Sequence, residues 1–257
     1  MKVKLMQFVG TRNKSDMLMY LAHVLTKINK RVLIIDSTQN QWYRNGYTRM
    51  SKGQHVYDFQ GIDILSDVTN WLDIEESLKK TGETHVNYDV ILVDIDSAEI
   101  LEQEWPEFHE RFYVGDFDRA HQLRDVNLID TLIHTTLNTA IKRITLASKY
   151  KLNAEYFDTI LSARLGKDIQ WRSMNYIFEP DEIGEELRNY MQHEQDIPYK
   201  RLNKQYKDLL CEMISALYGL HINDVKDAMK PNFFRRSSNP KKAKTLKIFE
   251  STESAKA

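Results

Sequence analysis

The sequence predicts an α/β fold: a doubly wound, mostly parallel sheet flanked by helices. Three observations point there. Short apolar runs alternate with helix-periodic segments along most of the 257 residues, the pattern of strands joined by crossover helices. Two of these runs, "RVLIID" and "YDVILVD", are almost continuously apolar, as strands covered on both faces must be. Both runs end in an aspartate, and an earlier strand ends in a polar loop that opens a helix. In such sheets ligands bind beyond the carboxyl ends of the strands, so the loop, Asp36 and Asp94 are expected to converge on one crevice.

Taken in order, the strands are expected over residues 3–9, 32–36, 62–65, 89–94, 111–114, 143–148 and 174–178. The helices are expected over 15–30, 71–80, 118–137, 154–162, 182–192 and 199–218. In the first helix Met17, Leu18, Leu21, Val24, Leu25 and Ile28 share one face, and Ser15 or Asp16 is placed to cap its start. Residues 39–61 carry Trp42, Tyr43, Tyr47 and Tyr57 without a clear period. They read as a long functional loop or an inserted face, with the aromatics either forming a partner surface or packing beneath it. Residues 1–230 form the expected domain and 231–257 a basic, flexible tail.

At 42% apolar content the chain can bury a full core, and one large domain is the expectation. Charged residues nearly cancel to a net −1, which excludes a global field toward nucleic acid or anionic membrane. A local attraction is available in the tail, where Arg235, Arg236, Lys241, Lys242, Lys244 and Lys247 have no acid among them. Each such residue near an anionic surface contributes about 1 kcal/mol, enough together for reversible contact with DNA or membrane; the competing reading is a solvated extension. No apolar stretch approaches the ~20 residues needed to span a bilayer, and the opening run is short for a signal core. The expectation is a cytoplasmic protein, peripheral to membrane or nucleoid if the tail engages either. Cys211 stands alone in an apolar helical pattern, which excludes a disulfide framework and reads as buried filler. The histidines show no metal spacing and no structural metal is expected. No G-x-S-x-G elbow or serine triad is present.

The informative stretch is "QFVGTRNKSDM", residues 7–17. A phosphate loop needs backbone N–H groups close to the anion, a lysine to neutralise it, and a hydroxyl at the helix start for Mg²⁺. Against G-x-x-x-x-G-K-[ST] this stretch supplies Gly10, Lys14 and Ser15, with Phe8 and Asn13 at the two motif glycines. The competing reading makes Lys14 an exposed lysine ahead of an ordinary capped helix, and Asp36 and Asp94 plain strand-end acids.

In its order of loop, aspartate, aspartate, the chain resembles the ParA/MinD family of deviant Walker ATPases to about residue 220. The resemblance rests on "VGTRNKSD", "LMYLAHVL", "KRVLIIDST", "NYDVILVDID" and "DIPYKRLNKQYKDLLCEMISALYG". A narrower likeness, to the TadZ/CpaE members that place pili and other surface machines, rests on "HVYDFQGIDIL". The family resemblance implies ATP and Mg²⁺ as ligands. Lys14 would be the phosphate lysine, flanked by Gly10, Thr11, Arg12, Asn13 and Asp16; Ser15 would ligate Mg²⁺ directly and Asp94 through water. Asp36 would be the catalytic carboxylate that orients the attacking water, and Pro198 would lie near the adenine. The departures are equally specific. The family's signature lysine falls on Val9, its glycines on Thr11 and Asn13, and the second aspartate of its D-x-D pattern on Thr38, so hydrolysis is expected to be weak or lost. The resemblance implies a spatial-organising or assembly protein that forms a homodimer and recruits a protein partner. The alternatives are an ATPase cycling between monomer and dimer to segregate DNA or position a complex, and a scaffold that binds no nucleotide.

Overall fold

The structure is a computed structural model that describes residues 3–48, 56–135, 141–147, 155–166, 171–180 and 182–230. Its strands are β1 (Lys4–Val9), β2 (Val32–Ser37), β3 (Val56–Phe59), β4 (Ile62–Ser66), β5 (Val90–Ile95), β6 (Glu110–Gly115), β7 (Ile141–Leu146) and β8 (Trp171–Phe178). They form one sheet in the order β3-β4-β2-β5-β1-β6-β7-β8. All neighbours pair in parallel except β3, which runs antiparallel to β4 at the edge. The α/β expectation is met.

The central strands are apolar throughout because both faces are covered. Along β5, Val90 and Leu92 enter one core cluster while Ile91, Val93 and Ile95 enter the other. On the first face lie α1 (Ser15–Lys27) and, packed beside it against β8, α8 (Lys204–Tyr218) with α9 (Ile222–Ala228). Because the sheet and α8 both pack against α1, its buried residues wrap most of its circumference: Met19, Tyr20 and Ala22 are buried along with the expected face. On the other face lie the cores of α3 (Trp71–Lys80), α5 (Arg119–Thr135) and α6 (Glu155–Leu165). The helix α7 (Gly184–Glu194) contributes Leu187 and Met191 to the first core.

Several expected bounds move, each for a local reason. The first helix stops at Lys27 because Asn29 adopts a left-handed φ of 60°, and Asn29 and Lys30 donate back to Thr26 and Leu25 in a Schellman closure. The expected helix 199–218 is two elements: a 3-10 turn, Tyr199–Arg201, and then α8, which Asn203 restarts by accepting from the Tyr206 N–H. The described parts of residues 39–61, expected as a long loop or an inserted face, hold regular structure: the short helix α2 (Trp42–Gly46) and the edge strand β3. A two-residue turn at Gln60 and Gly61, both at positive φ, joins β3 to β4. The short helix α4 (Ala98–Leu101) and α9 were also not expected. The basic tail, Arg235 to Lys247 included, lies outside the described residues, as do residues 49–55. Among the described residues no helix is long and apolar enough to cross a membrane.

Candidate nucleotide site

Strand order decides what meets the loop after β1. Because β5 lies between β2 and β1, Asp94 at its carboxyl end is level with Asp36 on one side and Phe8 on the other. The three sequence-distant features do converge. Lys14 turns back under its own loop, with Nζ 2.5 Å from Asp94 Oδ1, and donates to the carbonyl oxygens of Gly10 at 2.7 Å and Ile95 at 3.4 Å. It is 1% exposed and Asp94 fully buried, so Lys14 is neither the exposed lysine of the bland expectation nor a cation presented to an incoming phosphate. The other oxygen of Asp94 accepts from the Tyr43 hydroxyl at 2.8 Å. Burial raises the Asp94 carboxyl above its ordinary value, and Lys14 and Tyr43 oppose that rise.

Asp36 is equally enclosed. Its Oδ1 accepts from the Thr38 hydroxyl at 2.6 Å and the Thr38 N–H at 3.2 Å, and its Oδ2 from the N–H groups of Tyr43 at 2.9 Å and Arg44 at 3.3 Å. It thus caps the start of α2. Burial pushes its pKa up to about 6; the Thr38 hydrogen bond lowers it and the nearby Asp94 charge raises it.

The loop is satisfied from within. Gly10 is required by packing, because a Cβ there would collide with the Val114 carbonyl oxygen of β6. Gly10→Ala is expected to cost about 1–3 kcal/mol in urea melts by overpacking; a loss within about 0.5 kcal/mol would mean that β6 yields and that the glycine serves some other need. The Thr11 N–H donates to Asp125 Oδ1 at 2.8 Å, and the Tyr113 hydroxyl holds the other Asp125 oxygen at 2.8 Å. Arg12 turns away to the Leu146 carbonyl oxygen at 2.9 Å and lies 3.6 Å from Asp116. The N-cap position of α1 is Lys14, which makes no side-chain cap bond, so neither Ser15 nor Asp16 caps the helix; one residue further out, Asn13 Oδ1 accepts from the Ser15 N–H at 3.0 Å and the Ser15 hydroxyl at 2.8 Å. Asp16 Oδ1 accepts from the Met17 N–H, and the fully buried Ser15 hydroxyl lies 3.3 Å from the Tyr47 hydroxyl.

Pro198 does not join this group. It lines a cavity of about 550 Å³ with His23 and Lys27, and its neighbour Tyr199 lies with its ring 5.5 Å from that of His23. His23 sits eight residues beyond Ser15 along α1, about 12 Å of helix rise away from the loop.

In this arrangement the residues do not fit a nucleotide phosphate with Mg²⁺. The oxygens of Asp94 face Lys14 and Tyr43, the Ser15 hydroxyl faces Asn13 and Tyr47, and the Thr11 N–H meets the Asp125 carboxylate. Three residues that close the site were not expected from sequence. Tyr43 and Tyr47 stand four apart in a stretch read as loop, and that helical spacing was the usable signal. Asp125 lies in the middle of α5 within no motif.

The α/β architecture, an eight-stranded and mostly parallel sheet between helices, is shared with solved structures of ParA-type ATPases. Among solved structures, a ParA family ATPase from Chlorobium tepidum TLS aligns over 82% of this chain and 98% of its own, with TM-score 0.51 and 14% identity. A plasmid partition protein from Borrelia burgdorferi B31, bound to AMPPNP, aligns over 85% and 99%, with TM-score 0.50 and 14% identity. The MinC:MinD cell division protein complex of Aquifex aeolicus gives 83% and 96%, with TM-score 0.48 and 14% identity. No protein-family model and no curated protein matches the sequence.

Proposed function

We propose that this chain is a ParA/MinD-like spatial-organising or assembly protein that works as a homodimer through contacts with a protein partner, its phosphate loop closed on itself and its hydrolysis slow or absent. The observation that carries this reading is the internal neutralisation of the loop. Each group that would greet a phosphate already has a counterpart in the chain: Lys14 has Asp94, the Thr11 N–H has Asp125, and the Ser15 N–H has Asn13. An incoming phosphate would have to displace buried, charge-assisted contacts before gaining any of its own. The organising role draws support from the plasmid partition protein that shares the architecture. The narrower link to pilus placement rests on the sequence likeness alone.

Calorimetric titration with ATP and Mg²⁺ tests this directly. The expected result is no saturable heat at about 1 mM ATP, where even a site with a dissociation constant of ~1 mM is half filled. Micromolar binding that Lys14→Arg abolishes, in protein that stays folded, would make this a working nucleotide site and sink the closed-loop reading.

A further inference from the structure

We propose that the groove between the Tyr199–Arg201 turn, α8 and α9 docks an acidic peptide segment, carrying apolar side chains, from a partner protein. The groove has a volume of about 410 Å³ and is edged by Lys200, Lys204, Lys207, Lys226 and Lys230. Its one acidic lining residue, Asp208, is held by Lys226 at 2.8 Å. Lys230 pairs outward with Asp227, and Lys207 donates to the Lys200 carbonyl oxygen at 3.3 Å. Lys200 and Lys204 are exposed and, among the described residues, have no carboxylate within ion-pair distance. On a chain of net charge −1 this is a concentrated patch of positive charge.

The floor is of the opposite character. Tyr199, Cys211 and Met229 line it, with the Tyr199 hydroxyl 3.8 Å from the Cys211 sulfur. A cationic rim over an apolar floor matches a segment that alternates carboxylates with apolar side chains. Single-stranded nucleic acid would need an open aromatic platform, whereas Tyr199 is 7% exposed and engaged with His23. A duplex backbone would meet the rim and leave the floor unused. The proposal rests on the reading that this chain recruits a partner. The groove is separate from the loop after β1, so the ATP titration and the experiment below fail independently.

The test is fluorescence anisotropy of a short labelled peptide of alternating glutamate and leucine, titrated with the full chain. Binding is expected to weaken at least about tenfold in the double variant Lys200→Glu/Lys204→Glu, and to weaken with added salt. Replacing the leucines by serine is expected to weaken it too, while the exposed control pair Lys79→Glu/Lys80→Glu on α3 leaves it unchanged. Labelled single-stranded DNA and phosphatidylglycerol vesicles are titrated alongside. No binding at about 1 mM peptide, equal affinity in the groove variant or for the serine peptide, or tighter binding to DNA or vesicles would each overturn the proposal.

Discussion

Lys14→Met is expected to lower stability by about 3–5 kcal/mol, because it strands the Asp94 carboxylate in the interior without its cation. An exposed phosphate lysine would cost well under about 1 kcal/mol when removed, so the size of the loss separates the two roles. The sign with pH is also set. Burial already raises the Asp94 pKa, and removing Lys14 removes a force that lowers it. A buried carboxyl with a raised pKa is best tolerated when protonated, so the variant should recover part of its loss as the medium is acidified and lose more as pH rises. The double variant Lys14→Met/Asp94→Asn should regain most of the stability, since an unpaired charge no longer remains. Urea melts of the three proteins would decide it; a single-variant loss near zero would mean that the pair opens readily in solution.

The second large effect concerns Asp36. Its pKa is raised from the ordinary 3.8 to about 6, so the folded chain holds a proton there that the unfolded chain releases. Folding is therefore favoured below about pH 4 and loses that advantage as pH rises to about 6, a difference of about 3 kcal/mol. Asp36→Asn carries a constant penalty from mispaired donors but has no proton to lose. Subtracting its stability from the wild-type value at pH 4.5, 6 and 7.5 should give a difference that grows toward acid by about 2 kcal/mol across that range. A flat difference would show Asp36 to be solvated and ionised throughout, as a water-orienting carboxylate must be.

Much of the architecture was legible because the physics behind it is local. Short, β-branched continuous runs such as "YDVILVD" read as strands buried on both faces, and the rule for parallel sheets then brings Lys14, Asp36 and Asp94 together without any knowledge of contacts. What escaped was set by tertiary context. The strand β3 is four residues long and turns at Gln60-Gly61, whereas Asn or Asp would have announced the hairpin. The helix α2 holds only a turn and a half, and its start is capped by Asp36 from another strand, invisible in its own sequence. The same holds for the site. Its charged members lay at strand ends and could be found, but nothing about Lys14 says that it will fold inward onto Asp94. Whether a lysine faces a ligand or its own protein depends on how much acid and tyrosine lies beside it, and here Tyr43, Tyr47 and Asp125 supplied that from two other segments.

The position of β1 has a consequence for how the chain comes into being. Its two neighbours are β5 and β6, which end at Ile95 and Gly115. During synthesis β1 therefore waits about 80 residues for β5, and the loop with its lysine waits equally long for Asp94. Such distant pairings close slowly, and an apolar strand held open meanwhile is a target for chaperones and for association with other nascent chains.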